Sequence, residues 1–393
     1  MVDFLVKKFI SRPDDWEDPE IRQRYGLLTG GVGIFLNLML SLGKFLAGLL
    51  TGSIAITADA FNNLSDAGSS VVTLVGFHMA AKQADDDHPF GHGRMEYISG
   101  LVVAGAILLV GVELAKSSLE KILHPEEIAL SWVSVGILCA AILVKLWMFY
   151  FNRTLGKRID SAAMCATAAD SLSDVAATSA VLLGTLVGGF TGLHIDGWVG
   201  ILVAVFILRA GWGAAKDTLD PLLGQSPDPT LVHAIEKTVL AHKSITGIHD
   251  LIIHDYGPGR SMLSLHAEVP MDADVLAVHD IIDDIERELK EKFHIEAVIH
   301  VDPIATKDPR TNEMKARVAG LVREIEPSMT IHDFRMTQGP QHQNLIFDVV
   351  APHSCPLTDE EIKTRISGRV GELPGGPYFA VINVDRSYAE SGA

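Results

Sequence analysis

Apolar residues gather in six runs, near 27–51, 56–81, 97–121, 131–151, 162–190 and 195–215. Each is close to the roughly 20 residues that cross a bilayer as a helix. In the first run Gly30, Gly31, Gly33 and Gly43 supply the small surfaces that let helices approach closely in lipid. The fifth run is broken by polar residues, but its length and flanks suit a span. Beyond "DPLLGQSPDPT" the pattern changes. "TLVHAIEKTVLAH" and "VLAVHDIIDDIERELKEKF" carry helical periodicity, whereas "GIHDLIIHDYG", "RSMLSLHAEVP" and "EAVIHVDPI" read as strands. This αββαβ order predicts a small ferredoxin-like α+β domain.

The tail reads as a second copy. "IHDLIIHDYGPGRSMLSLHAEVP" (248–270) is similar to "IHDFRMTQGPQHQNLIFDVVAP" (331–352), and "AVIHVDP" (297–303) to "AVINVDR" (380–386). Helical stretches at 311–326 and 358–370 take the matching places. The expected fold is a membrane α-helical domain of six transmembrane helices, followed by a cytoplasmic, duplicated ferredoxin-like α+β domain. Its parts are a cytoplasmic N-terminal segment at 1–26, a transport domain at 27–220, a metal-binding αββαβ domain at 221–305 and a degenerate copy at 306–393.

Composition agrees with the membrane reading: 48% of the 393 residues are hydrophobic, and the mean hydropathy is positive. The net charge of −17 and the lack of a basic stripe argue against nucleic acid as a partner. Cys139, Cys165 and Cys355 are scattered and suggest neither a disulfide framework nor a CxxC zinc motif. The N-terminus has no apolar core with a small-residue cleavage site, so no secretory signal is expected. Its first ten residues fit a short helix on the membrane surface. Lys7, Lys8, Arg12, Arg22, Arg24, Lys82, Arg94, Arg153, Lys157, Arg158 and Lys216 all fall on one side of the predicted spans. By the positive-inside rule that side, with both termini, is cytoplasmic.

The chemistry lies in the polar residues of the second and fifth runs. In "FNNLSDAG" Asn62 and Asp66 are four apart and share a helix face, with Asp59 one turn earlier. "AADSLSDVAATS" repeats the spacing with Asp170 and Asp174. A carboxylate at mid-bilayer costs roughly 3 kcal/mol or more unless it is paired, protonated, metal-bound or facing water. Lys44 and Lys145 are too few to neutralise all of these acids. If the two helices are neighbours, Asn62, Asp66, Asp170 and Asp174 offer four oxygen ligands to one divalent cation. Asn63, Ser65, Ser171 and Ser173 are read instead as groups hydrogen-bonding between helices. The loop "DDDHPFGHGRMEYISG" adds Asp85, His88 and His92, one carboxylate and two imidazoles suited to zinc or manganese, or else a solvated acidic loop.

Over roughly 20–305 these features resemble the cation diffusion facilitators, secondary exporters of divalent transition metals. The resemblance implies that Asn62, Asp66, Asp170 and Asp174 form the transport site and that Asp85, His88 and His92 hold a second ion. It further implies a regulatory cytoplasmic site of His249, His266, His300 and Asp302, with His279 as an additional ligand. It implies a homodimer through the cytoplasmic domain, with Arg94 and Asp220 as a charge interlock. In the second copy His300 becomes Asn383 and His266 becomes Asp348, while His332 is kept. That copy is therefore expected to bind metal weakly or not at all.

The expected cargo is Mn2+, because one amide and three carboxylates are hard ligands and no histidine joins them; Zn2+ or Fe2+ is the alternative. Protons competing for the carboxylates would drive efflux from the cytoplasm across the plasma membrane. Divalent metals act as substrate and regulator, and no prosthetic group is expected. The remaining alternative is a membrane-anchored metal sensor or scaffold, which would have no need of aligned aspartates in its anchor. No nucleotide-binding loop of the GxxxxGKS type occurs, so neither an ATP-driven pump nor an enzyme is expected.

Overall fold

The computed structural model describes residues 2–16, 18–51, 54–124, 131–191, 195–337, 343–352 and 354–387. It divides into a helical unit, 1–225 with the short stretch 255–260, and an α+β unit made of the rest. The helical unit begins with α1 (Val2–Phe9) and continues with six long helices: α2 (Pro19–Thr51), α3 (Ile54–Ala80), α4 (Met95–Leu123), α5 (Trp132–Arg158), α6 (Ala162–Thr191) and α7 (Asp196–Leu223).

Helices α2, α4, α5 and α7 are long and apolar enough to cross a membrane. The other two, α3 and α6, match them in length but carry the Asn and Asp residues singled out above. The helices pack in pairs, α2 along α3, α4 along α7 and α5 along α6, and α6 also touches α3, α4 and α7. Both aspartate-bearing helices, α3 and α6, thus have several neighbours.

Small residues set the close approaches. A Cβ added at Gly30 would lie 2.7 Å from the Leu74 side chain, and one at Gly33 would lie 2.6 Å from Ser70 Oγ, so α2 and α3 pack through glycine. Gly31 and Gly43 face open space and take no part. Between α4 and α7 the seam is tighter still: a Cβ at Gly100 would stand 2.6 Å from Thr218 Cγ2, and one at Gly200 would stand 2.1 Å from Ser118 Oγ.

The N-terminal helix does not simply lie on a lipid surface. Its Val2 and Val6, with Ile10, are buried against Ile21, Tyr25, Phe77, Phe151 and Leu155, while Phe4 and Phe9 on the opposite side are exposed. The amphipathic pattern was legible in the sequence; that its apolar face would meet protein was not.

One buried ion pair joins the same end of the bundle. Arg22 donates from Nε and Nη2 to both oxygens of Glu96 at 2.7 and 2.8 Å. It also donates to the carbonyls of Ile159 and Asp160, and Ser161 Oγ donates to Glu96 Oε1. Both charged side chains are almost fully buried, at 5% and 1% exposure. The bidentate fork and the extra carbonyl acceptors satisfy charges that would otherwise be costly to bury.

In the α+β unit the order is α8 (Pro229–Leu240), β1 (Gly247–Asp255), β2 (Ser261–Pro270), α9 (Val275–Phe293) and β3 (Ile295–Ile304). The order then recurs as α10 (Pro309–Ile325), β4 (Thr330–Met336), β5 (Gln343–Pro352), α11 (Asp359–Gly371) and β6 (Tyr378–Ser387). Each segment has a three-stranded sheet, ordered β1-β2-β3 and β4-β5-β6. In both, the last strand runs parallel to the middle one.

Strand alternation turns Leu263, Leu265, Ala267 and Val269 into the first core, where Val278, Ile282, Ile285 and Leu289 of α9 cover them. The second core repeats this with Leu345, Phe347, Val349 and Ala351 under Ile362, Ile366 and Val370. Side chains between those core positions, among them His266 and Asp348, are left for the opposite face.

Candidate metal centres

The polar face of α3 meets α5 and α6. Lys145 Nζ of α5 donates to Asp66 Oδ2 at 2.7 Å and to Asp174 Oδ2 at 2.5 Å. Asp170 lies one turn before Asp174 on the same face of α6. Asp66 and Asp174 are thus joined through one ammonium, with Asp170 on the adjacent turn of α6.

Asn63 bonds between helices, as its reading in the sequence expects, and it lies nearer Asp66 than that reading requires. Asn62 is exposed, while Asn63 is buried, accepts from Lys44 Nζ at 2.5 Å and donates to Asp66 Oδ2 at 3.2 Å. On a helix the two amides flank Asp66 at about 40° on one side and about 60° on the other, so periodicity admits either and the neighbouring helix selects Asn63. The ammonium of Lys145 serves two carboxylates at once. The side chain of Asp59 lies outside the described residues. Ser171 and Ser173 are buried and donate to carbonyls one turn earlier on their own helix.

In the loop after α3, Asp85, His88 and His92 present ligand atoms within 4.8 Å of one another. His88 Nδ1 is 3.2 Å and His92 Nε2 is 3.6 Å from the Asp85 carboxylate. Lys82, bonded to the same carboxylate at 2.6 Å, holds the Asp85 carboxyl well below the usual range. His92 is buried and its Nδ1 has no hydrogen-bond partner. Arg94, two residues on, makes no ion pair with Asp220 within the chain among the described residues. It donates to the carbonyl of Asp255 and lies over the ring of Tyr256; both of these residues are counted in the helical unit.

The α+β unit gathers a second cluster around Asp302. In the parallel register His266 stands beside His300, and Glu268 beside Asp302. Asp302 Oδ2 is 2.8 Å from His266 Nδ1 and 3.2 Å from His249 Nε2, and Asp302 Oδ1 is 3.5 Å from His300 Nε2. Burial, and next the neighbouring His332, lower the pKa of His249, which favours the neutral imidazole that a metal ligand requires. His279 does not join the cluster. It follows Val278, which points into the core, so the helical turn carries it round to solvent beside Asp283.

Residues 32–223 match the cation efflux transmembrane domain, and 227–304 match the cation efflux protein cytoplasmic domain. An uncharacterized transporter of Methanocaldococcus jannaschii is 31% identical over 68% of this chain and 94% of its own length. The chain belongs to the cation diffusion facilitator family. Other relatives in Bacillus subtilis differ in the cargo their names state. The manganese efflux system protein MneS is 28% identical over 72% of this chain and all of its own length. A cadmium, cobalt and zinc/H(+)-K(+) antiporter is 29% identical over 63% of this chain and 79% of its own. The chain is thus a membrane transporter for divalent cations, with a cytoplasmic domain of the family's kind. Neither domain match extends past residue 304, so the second αββαβ segment lies beyond both.

Proposed function

We propose that this facilitator exports Mn2+ from the cytoplasm in exchange for protons, as a homodimer in the plasma membrane, with six spans and both termini cytoplasmic. The observation that carries the cargo is the donor set: Asp66, Asp170 and Asp174 come together from α3 and α6 with an amide beside them. All of these are hard oxygen donors, which favour manganese over zinc. Within the chain the amide at hand is Asn63; Asn62, the residue the family pattern designates, would have to reach the ion from the exposed side of the same turn.

Lys145 gives the site a chemistry of its own. An entering divalent cation competes with an ammonium already bonded to two of its ligands, so binding exchanges one cation for another. Protonation of an aspartate would release the ion on the far side, which is the simplest coupling of metal to proton flux. Zn2+ or Fe2+ as cargo is the second reading, favoured by the relative whose name states cadmium, cobalt and zinc.

The test is flux into proteoliposomes under a pH gradient with Mn2+, Zn2+ and Fe2+ supplied separately. Mn2+ uptake that collapses the gradient and is lost in Asp174→Ala supports the proposal. Zn2+ uptake without Mn2+ uptake would move the cargo to the second reading, and no metal-dependent flux at all would return the chain to a sensor or scaffold.

A further inference from the structure

The second αββαβ segment has replaced two of the first segment's histidines, yet it keeps "IHD" at 331–333 opposite "IHD" at 248–250 and keeps Asp385 opposite Asp302. The fold brings these remnants together across the two segments. Strand β3 contacts strand β4, and the His249 and His332 rings stack with centroids 4.2 Å apart. Asp250 and Asp333, which follow those histidines, both adopt a left-handed backbone, with φ of 51° and 48°. Residues other than glycine take that conformation sparingly, and asparagine and aspartate most readily among them.

The consequence is a mixed group. Ligand atoms of Asp250, from the first segment, and of His332 and Asp385, from the second, lie within 4.8 Å of one another. His332 Nε2 stands 3.6 Å from Asp385 Oδ2 and 3.9 Å from Asp250 Oδ1. Those gaps are too wide for hydrogen bonds. They are close to the edge of a coordination tetrahedron, about 3.4 Å for ligands near 2.1 Å from a metal.

The donors are also unspent. His332 is 8% exposed, and neither of its ring nitrogens has a hydrogen-bond partner, nor does Asp385 Oδ2. A buried imidazole with both nitrogens unpaired is a rarity that calls for a cause. Asn383, which stands where the first segment has His300, donates to the other oxygen of Asp385 at 2.9 Å. It therefore fixes that carboxylate while leaving Oδ2 free, as an outer-shell partner does. The first cluster differs, since His266 there is already hydrogen-bonded to Asp302 at 2.8 Å.

We infer that Asp250, His332 and Asp385 bind one divalent first-row transition cation, distinct from the ion expected at His249, His266 and Asp302, and that this ion clasps the two αββαβ segments to each other. One imidazole and two carboxylates form a borderline donor set, open to Zn2+, Co2+ or Mn2+, with further positions for water. The second segment is then a metal-dependent partner of the first within the same chain. This holds whichever metal the membrane domain exports.

The experiment counts Zn2+ bound to the full-length protein in detergent micelles, by equilibrium dialysis and elemental analysis. Asp250→Asn, His332→Ala and Asp385→Asn are each expected to lower the count by one per chain, and any two together still by one. His266→Ala is expected to remove a different equivalent, so that His266→Ala with Asp385→Asn loses two. Asp250→Asn keeps size and shape at a partly exposed position, and an unchanged elution volume with unchanged far-ultraviolet circular dichroism certifies its fold. Hydrogen exchange supplies the second readout: Zn2+ should protect β4 and β6 in the wild type and not in Asp250→Asn. An unchanged Zn2+ count in both Asp250→Asn and Asp385→Asn would overturn the inference, as would equal protection of β4 and β6 in wild type and Asp250→Asn.

Discussion

Lys145 Nζ stands 2.5 Å from Asp174 Oδ2 while also holding Asp66 at 2.7 Å, so a single ammonium joins two acids on different helices. Replacing it with Met leaves neighbouring carboxylates without their cation. Breaking one side of such a pair costs about 3–5 kcal/mol. Lys145→Met should therefore lower the unfolding temperature in detergent when metal is chelated, and saturating Mn2+ should restore much of the loss. Intrinsic tryptophan fluorescence on heating, with and without Mn2+, checks this; an unfolding temperature indifferent to metal would speak against an ion among those aspartates.

The two neighbouring amides of α3 can be separated by substitution. Asn63→Ala removes the donor to Asp66 and the acceptor of Lys44, and should reduce Mn2+ flux by an order of magnitude or more, since a good hydrogen bond to a charged group is worth about 1.5–3 kcal/mol. Asn62→Ala, on the exposed side, should leave most of the flux. The reverse outcome in proteoliposomes would restore Asn62 as the ligand. Asn62→His provides a sharper version: if that residue touches the ion, preference should swing toward Zn2+.

Arg22 and Glu96 make the most deeply buried ion pair noted above. Glu96→Gln retains size but leaves the guanidinium without its counter-charge, and should cost about 3–5 kcal/mol. Arg22→Met with Glu96→Leu should cost less than the sum of the singles, because no lone charge remains buried. Chemical unfolding of the four proteins in a mixed-micelle series would give the coupling. Simple additivity would mean the pair acts as two independent contacts.

His249 yields a pH dependence of known sign. Burial lowers its folded pKa, so the unfolded chain takes up its proton first as pH falls through about 6.5. With metal chelated, the stability this residue supplies is fully present above that value and declines as pH drops from about 7 toward the lower folded pKa. His249→Gln should flatten the slope. Hydrogen exchange of β1 between pH 7 and pH 5 is the readout, after correction for intrinsic rates; an unchanged slope in the variant would mean another group controls it.

The sequence disclosed the elements better than their company. Hydrophobic windows located the six long helices, but placed the start of the first at 27, whereas α2 begins at Pro19. The missing turns hold Arg22, which hydropathy reads as a loop charge and the structure reads as the partner of Glu96. The αββαβ order was legible twice, because strand alternation and helical periodicity are local signals. The shared face of Asp170 and Asp174 followed from spacing; that Asp66 would meet Asp174 at Lys145 required α3 and α6 to be neighbours. What spacing could not resolve was rotation within a face, as at Asn62 and Asn63. Nor could it show a long-range gathering such as Asp250 with His332 and Asp385, whose members lie 53 to 135 positions apart in the chain. His279 stands apart within the chain for a related reason, since a strand register aligns the other histidines while a helix turns this one toward solvent.

The glycine seam between α4 and α7 bears on how the protein can move. At Gly100 and Gly200 backbone meets the neighbouring helix with no room for even a methyl group. There the glycines lie directly against the short side chains of Thr218 and Ser118, which leave little play between the two helices. A shift of one past the other would have to open the joint before it could advance. On the proposed mechanism the pair moves as one strut, and a swing that exposes the aspartates to the opposite side of the membrane would come from the other helices turning about it.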